Sequence, residues 1–142
     1  MKEIILLILI GLIISGAKAQ KIKSCQVPDL ILKDFSSKYS NAKRVKWIRE
    51  ELNYEVEFII KGKGMDVTYD TVGNWVETLS EITVNELPSV IVGSINKLFS
   101  DCKITSAARL DQYNTDAYYE AEIKYKGKKS VATFDSKGNQ KD

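Results

Sequence analysis

Apolar and polar residues alternate along several stretches of the chain, and this pattern predicts most of its secondary structure. The clearest stretch is YEVEFII, Tyr54–Ile60, in which every second residue is apolar. The stretch GMDVTY, Gly64–Tyr69, follows it after a short turn, and YYEAEIKY, Tyr118–Tyr125, repeats the alternation later. A period of two, with many β-branched and aromatic residues, indicates antiparallel strands that bury one face.

Two other stretches have the three-to-four-residue spacing of a helix. VPDLILKDF, Val27–Phe35, and LPSVIVGSI, Leu87–Ile95, each begin with an apolar residue and a proline. Proline suits the first helical turn because no hydrogen bond is lost there. Each segment therefore predicts a helix with one apolar stripe.

The predicted helices and the strands that follow them occur twice in the same order, so the chain repeats itself. This recurrence predicts a tandem duplication, with repeats at residues 27–79 and 87–140. The motifs YDTVGN and FDSKGN end corresponding strands, and their Asp and Gly positions are typical of tight turns. A calcium loop would need more alternating oxygen ligands than either motif has. The predicted turn residues are Asp70, Gly73, Asp135 and Gly138.

These elements together predict an α+β fold. Each repeat supplies one helix and an antiparallel β-meander, and the simplest assembly has two layers, with both helices on one face of one antiparallel sheet. The apolar positions of the second repeat carry smaller side chains. We therefore expect the second repeat to be the less stable half.

The N-terminal segment, residues 1–19, is typical of an export signal. Lys2 precedes an apolar run that reaches Ile14, and Ala17 and Ala19 are small residues where signal peptidase requires them. The run is shorter than the roughly 20 residues of a spanning helix. We expect cleavage after Ala19, one domain at residues 20–142, and a location in the periplasm or outside the cell.

Charge and composition exclude several classes of function. The formal net charge is +2, and the predicted cleavage lowers it by one, so there is no basic excess for nucleic acid. The chain has no histidine, which removes histidine-dependent catalysis and histidine metal ligands. We predict no catalytic residues, no metal site and no cofactor, and a protein that is not an enzyme.

Two cysteines, Cys25 and Cys102, are present. Two thiols cannot supply the four ligands of a structural zinc site. In an exported chain they could instead form a disulfide, and the sequence leaves both states open.

Outward-facing strand positions carry the candidate binding residues. Glu55 and Glu57 lie two apart on one strand and therefore on one face, and Glu120 and Glu122 repeat the pair. Paired carboxylates could serve glycoside hydrolysis, but a flat sheet face offers no cleft for it. Apolar residues among such charges are typical of protein-docking faces. The predicted partner-binding set is Glu55, Glu57, Ile59, Tyr118, Glu120, Glu122 and Lys124.

The segments VPDLILKDFSSKYSNAKRVKW, YEVEF, YDTVGNW, LPSVIVGSINKLF and FDSKGN resemble the PepSY-like periplasmic proteins of the DUF2874 group. The resemblance covers residues 27–139. It implies a fold similar to the β-lactamase inhibitory protein, made of repeated helix-and-strand units and exported. It implies no catalytic residues.

The leading interpretation is a periplasmic binding module, inhibitory or regulatory, that docks an envelope protein through the open sheet face. The alternative is an envelope sensor that responds to a small ligand or to calcium. Neither interpretation needs a membrane span after signal removal, and the oligomeric state is left open.

Overall fold

The structure, a computed structural model, describes residues 19–141. The predicted export signal therefore lies outside the described residues, apart from Ala19. The described chain contains nine strands and two α-helices. In chain order they are β1 (Gln20–Ile22), α1 (Asp29–Lys38), β2 (Lys43–Arg49), β3 (Asn53–Ile60), β4 (Lys63–Asp70), β5 (Trp75–Ile82), α2 (Ser89–Leu98), β6 (Lys103–Gln112), β7 (Tyr118–Tyr125), β8 (Lys128–Asp135) and β9 (Gln140–Lys141).

The nine described strands form one antiparallel sheet in which the spatial order is the chain order, β1 to β9. Each strand except β1 and β9 therefore pairs with the strand before it and the strand after it. The fold is mainly an antiparallel sheet with two helices, as the alternation predicted. Residue 79, the predicted end of the first repeat, lies within β5. This strand pairs with β6 without interruption from Glu77 to Ile82.

Both helices begin directly after a proline and bury one stripe. Pro28 and Pro88 occupy the N-cap positions, and the chain is helical from the next residue onward. The buried residues are Ile31 and Phe35 in α1, and Ile91 and Ile95 in α2. The two members of each pair are one helical turn apart, which places them on one side of their helix.

The helix stripes pack against two separate groups of strand residues. The α1 stripe packs with Trp47, Val56, Phe58, Val67 and Tyr69. The α2 stripe packs with Ala107, Ala121, Ile123, Ala132 and Phe134. The second core thus has alanines at three strand positions, whereas the strands of the first core supply Trp47, Val56 and Val67.

Cys25 and Cys102 are not bonded to each other in the structure. Cys25 is exposed in the 3₁₀ turn Ser24–Gln26 that precedes α1. Cys102 packs instead against the core beneath α2.

No helix among residues 19–141 has the length and apolar character that crossing a membrane requires.

Candidate functional site

Strand residues that alternate with the core residues share the other face of the sheet. The register sets Glu57 directly opposite Asp66, and Asp66 directly opposite Leu79. The same row continues through Leu110 on β6 to Tyr118 on β7. We call this face the acidic face. It comprises Glu55, Glu57, Ile59, Asp66, Glu77, Leu79, Glu81, Leu110, Tyr118, Glu120, Glu122 and Lys124.

All seven residues of the predicted partner-binding set lie on the acidic face. Six are half-buried, and Lys124 is exposed. The register separates them into two groups, because β4, β5 and β6 lie between β3 and β7. Residues that the prediction omitted fill the space between these groups.

The densest part of the acidic face is a group of three carboxylates on β3 and β4. Oxygen atoms of Glu55, Glu57 and Asp66 lie within 4.8 Å of one another. The Glu57 side chain is only 13% exposed, and the Lys46 ammonium is 3.8 Å from its carboxylate. Carboxylate oxygens grouped in this way are also the donors that a hard divalent cation uses.

Burial and neighbouring negative charge raise the pKa of two acids on this face. Burial raises the pKa of Asp66 well above its usual value, and the nearby carboxylates of Glu55, Glu57 and Glu77 raise it further. Burial and the charge of Glu77 likewise raise the pKa of Glu120. The charge of Glu77 thus raises the pKa of acids on both β4 and β7.

Positive charges lie mainly at the perimeter of this face. Lys129 on β8 forms an ion pair with Glu122 at 3.0 Å, and Lys141 on β9 lies 4.0 Å from Asp135. The pKa of Glu122 is lowered because the Thr105 hydroxyl and Lys129 donate hydrogen bonds to it. Glu122 thus has a cationic partner, whereas Glu77 and Glu81 take part in none of the ion pairs formed by the described residues.

Sequence reasoning missed Asp66, Glu77 and Glu81 as members of the face. Asp66 alternates with Met65 and Val67, so its outward position was available from the pattern. Glu77 and Glu81 were missed because the prediction did not assign the residues after the YDTVGN turn to one face or the other. The segment WVETLSEI, Trp75–Ile82, does place Glu77, Leu79 and Glu81 at alternate positions, and that signal could have identified them.

The two DxxGN motifs form matching turns. The Asp70 carboxylate accepts hydrogen bonds from the backbone N–H groups of Val72 and Asn74 and from the Asn74 side chain. Asp135 accepts the corresponding bonds from Lys137 and Asn139. These bonds lower the pKa of both carboxyl groups. Both carboxylates are thus engaged by their own turns.

A cleft of about 390 Å³ is lined by Lys38, Tyr39, Met65, Tyr69, Trp75, Thr78, Ser80 and Asp111. Its charged groups already have partners, because Lys38 pairs with Asp34 and Asp111 pairs with Arg109. The Trp75 indole N–H donates to the Thr78 hydroxyl at 2.8 Å. Few polar atoms of the cleft are therefore available to orient a ligand.

The fold and the acidic face describe a small sheet protein whose most unusual surface is a band of carboxylates. The chain belongs to the family described as "Putative beta-lactamase-inhibitor-like, PepSY-like", whose model matches residues 13–70 and 53–141. No curated protein matches the chain.

Several solved Bacteroides structures are similar in fold. A DUF2874 family protein from Bacteroides uniformis is 18% identical, with a TM-score of 0.70 over 80% of this chain and 86% of that one. A protein from Bacteroides eggerthii, described as a putative periplasmic protein, is 19% identical, with a TM-score of 0.70 over 80% and 85%. A BLIP-like protein from Bacteroides fragilis is 20% identical, with a TM-score of 0.67 over 82% and 84%. At these identities the likeness establishes the fold alone.

Proposed function

We propose that this chain is an exported binding module that docks a protein partner through the acidic face and inhibits or regulates it, without catalysing a reaction. The inhibitor-like description of the family supports this proposal. The structural neighbour described as periplasmic supports an envelope location, as does the predicted export signal.

The observation that carries the proposal is the segregation of charge. The formal net charge of the chain is +2, yet one face of the sheet gathers carboxylates on β3, β4, β5 and β7. Asp66 lies directly opposite Glu57, and its raised pKa costs stability at neutral pH because folding must take up a proton there. An arrangement that costs stability is expected where a surface has a role in binding.

We also infer that the chain is a tandem duplication with both helices layered on one face, which leaves the acidic face free for a partner. Each helix follows a short 3₁₀ turn, Ser24–Gln26 before α1 and Val84–Glu86 before α2. The two helices are equal in length. In both cores, the strand residues that pack with the helix occupy alternate positions along their strands. These features support one ancestral unit used twice.

Charge reversal tests the docking face. The tagged mature protein would capture its partner from the native envelope, and mass spectrometry would identify it. The purified partner would then be titrated against wild type, the Glu57→Lys/Glu122→Lys variant and an Asp116→Lys control. We expect the double reversal to weaken binding at least tenfold, and the exposed loop control to bind normally. Unchanged affinity of the double variant would show that the partner docks elsewhere.

A second candidate function is a calcium-responsive sensor, favoured by the three grouped carboxylates of Glu55, Glu57 and Asp66. Here Asp66, rather than the turn residue Asp70, would contribute to the cation site. Thermal unfolding with and without calcium chloride tests this. A calcium-dependent rise in Tm that Asp66→Asn removes and Asp70→Asn retains would favour the sensor over the docking module.

A further inference from the structure

We propose that docking is centred on β5, β6 and β7, where an apolar patch ringed by carboxylates takes a partner surface with an apolar anchor flanked by lysine or arginine. This inference rests on the proposed docking function and names the chemistry of the partner. It places the centre of docking in the region between the two hydrophobic cores, and not at the two glutamate pairs.

The apolar patch consists of Leu79, Leu110 and Tyr118. Cross-strand pairing joins Leu79 to Leu110 and Leu110 to Tyr118, so the three residues form one continuous row. All three are half-buried. Adjacent strands are about 4.8 Å apart, so the row is roughly 10 Å long. Such a patch has the size to receive one or two large apolar side chains of a partner.

Carboxylates surround this patch on three sides. Asp66 is directly opposite Leu79 on β4, and Glu77 and Glu81 lie two residues before and after Leu79 on β5. Glu120 lies two residues after Tyr118 on β7. An apolar centre with a charged rim is the usual anatomy of a protein interface, and a rim that excludes water strengthens the contacts at the centre.

The rim carries negative charge that the described chain does not neutralise. The ion pairs formed by residues 19–141 include none with Glu77, Glu81 or Glu120. The bonds of Glu77 and Glu81 are with neutral donors, the Gln112 amide and the backbone N–H of Gly64. A cationic partner therefore finds uncompensated charge here, and an acidic one is repelled.

One contact within the chain brings a cation close to an aromatic ring of the patch. The Lys141 ammonium lies 5.9 Å from the centre of the Tyr118 ring. A cation at this distance is attracted by the face of an aromatic ring. The end of the patch formed by β7 thus accepts a lysine from the chain itself.

The spacing along β5 specifies the pattern of the partner. Glu77, Leu79 and Glu81 point to the same side of β5. Each is separated from the next by roughly 7 Å, the length of two extended residues. An extended segment with a cation, an apolar residue and a cation at alternate positions has the same spacing. The acetylated and amidated pentapeptide Arg-Ser-Phe-Ser-Arg has this pattern and serves as the probe.

Titration of the ¹⁵N-labelled mature protein with this peptide tests the inference. Two control peptides, Arg-Ser-Gly-Ser-Arg and Glu-Ser-Phe-Ser-Glu, lack the anchor and the cations respectively. We expect shift changes centred on the amides of Leu79, Leu110 and Tyr118. The control without the anchor should bind about tenfold more weakly, since one buried aromatic side chain is worth at least that factor. The acidic control should also bind about tenfold more weakly, because Glu77 and Glu81 repel its glutamates. Equal binding of the three peptides, or changes centred elsewhere, would overturn the inference.

A matched pair of variants separates this inference from the proposed function. Glu77→Gln/Glu81→Gln removes two charges but keeps an oxygen that accepts the bonds from Gln112 and Gly64, and Glu51→Gln makes the same change at an exposed turn residue. We expect only the first variant to lose about tenfold in affinity for the probe and for the purified partner. If it binds the partner normally while the Glu57→Lys/Glu122→Lys variant does not, the docking function stands and its centre on β5 is refuted.

Discussion

Asp66 lies against three acids, Glu55, Glu57 and Glu77, and the pKa of its carboxyl group is raised by burial and by these neighbours. The protonated form is thus favoured in the folded protein. In the unfolded chain the same group ionises near its ordinary pKa of 3.8. Folding is therefore linked to proton uptake at this position, in contrast to most carboxyl groups in proteins.

We predict that Asp66→Asn removes part of the pH dependence of stability. At pH values below the ordinary pKa, Asp66 is protonated in both the folded and the unfolded state, so it does not lower the free energy of unfolding. As pH rises above about 4, the unfolded state loses its proton first, so the stability of wild type falls. Asparagine does not titrate, and the Tm of Asp66→Asn should fall less between pH 4 and pH 9. Parallel Tm profiles for the two proteins, measured by calorimetry, would contradict this.

Gly138 is required for two reasons, its backbone conformation and its close neighbours. Its φ of +84° is unfavourable for other residues, and an added Cβ would lie 3.0 Å from the Val90 carbonyl oxygen and 2.8 Å from the Ser94 hydroxyl. That hydroxyl donates a hydrogen bond to the Gly138 carbonyl at 2.7 Å. The turn is thereby attached to α2.

We predict that Gly138→Ala lowers the free energy of unfolding more than Gly62→Ala. Gly62 has a similar φ of +77°, but no atom lies within 4 Å of an added Cβ. Gly62→Ala thus reports the backbone cost alone, about 1–2 kcal/mol. Urea denaturation should show an additional loss of about 1 kcal/mol for Gly138→Ala. Equal losses would mean that the Val90 contact relaxes freely.

The two helices are equal in length but not in intrinsic helical stability. Gly93 lies within α2 at the position that Lys33 occupies in α1. No neighbouring atom lies within 4 Å of a Cβ added to Gly93. A glycine inside a helix costs conformational entropy on folding, and here no contact requires it.

We predict that Gly93→Ala raises the free energy of unfolding by about 0.5–1 kcal/mol. Chemical denaturation with a constant m-value would measure this gain. Lys33→Ala in α1 is the matched substitution, and it should change stability little because lysine is already a good helix former. A gain for Lys33→Ala equal to that for Gly93→Ala would exclude the entropic explanation.

The two hydrophobic cores differ in the volume that they bury. The core beneath α1 contains Trp47, Val56 and Val67, and the core beneath α2 contains Ala107, Ala121 and Ala132 at the corresponding positions. Smaller side chains remove less apolar surface from water. Because one sheet carries both cores, the difference should appear as a gradient of local stability.

We predict that amides of β7 and β8 exchange with solvent faster than those of β3 and β4. Native-state hydrogen exchange of the full mature chain would measure this, with Ala121 and Ala132 compared against Val56 and Val67. Equal protection at all four amides would indicate that the sheet unfolds only as one cooperative unit, and would contradict the expected gradient.

Local patterning was sufficient to predict the two helices, most of the strands and the outward position of residues such as Glu57 and Glu120. Alternation and proline placement depend on the backbone geometry of single elements, so a short contiguous stretch of sequence is enough to recognise them. The sheet pairing of β5 with β6 depends on contacts between distant segments. The prediction therefore omitted Glu77 and Glu81 from the face.

The sequence was enough to establish the class of fold, the absence of histidine chemistry and which residues share a face, because these follow from composition and from the periodicities of strands and helices. Strand order and register came only from the assembled sheet. They set Asp66 opposite Glu57, and they joined Leu79, Leu110 and Tyr118 into one row. Side chains from five strands, β3 to β7, meet there through the pairing of the strands, which no local pattern encodes.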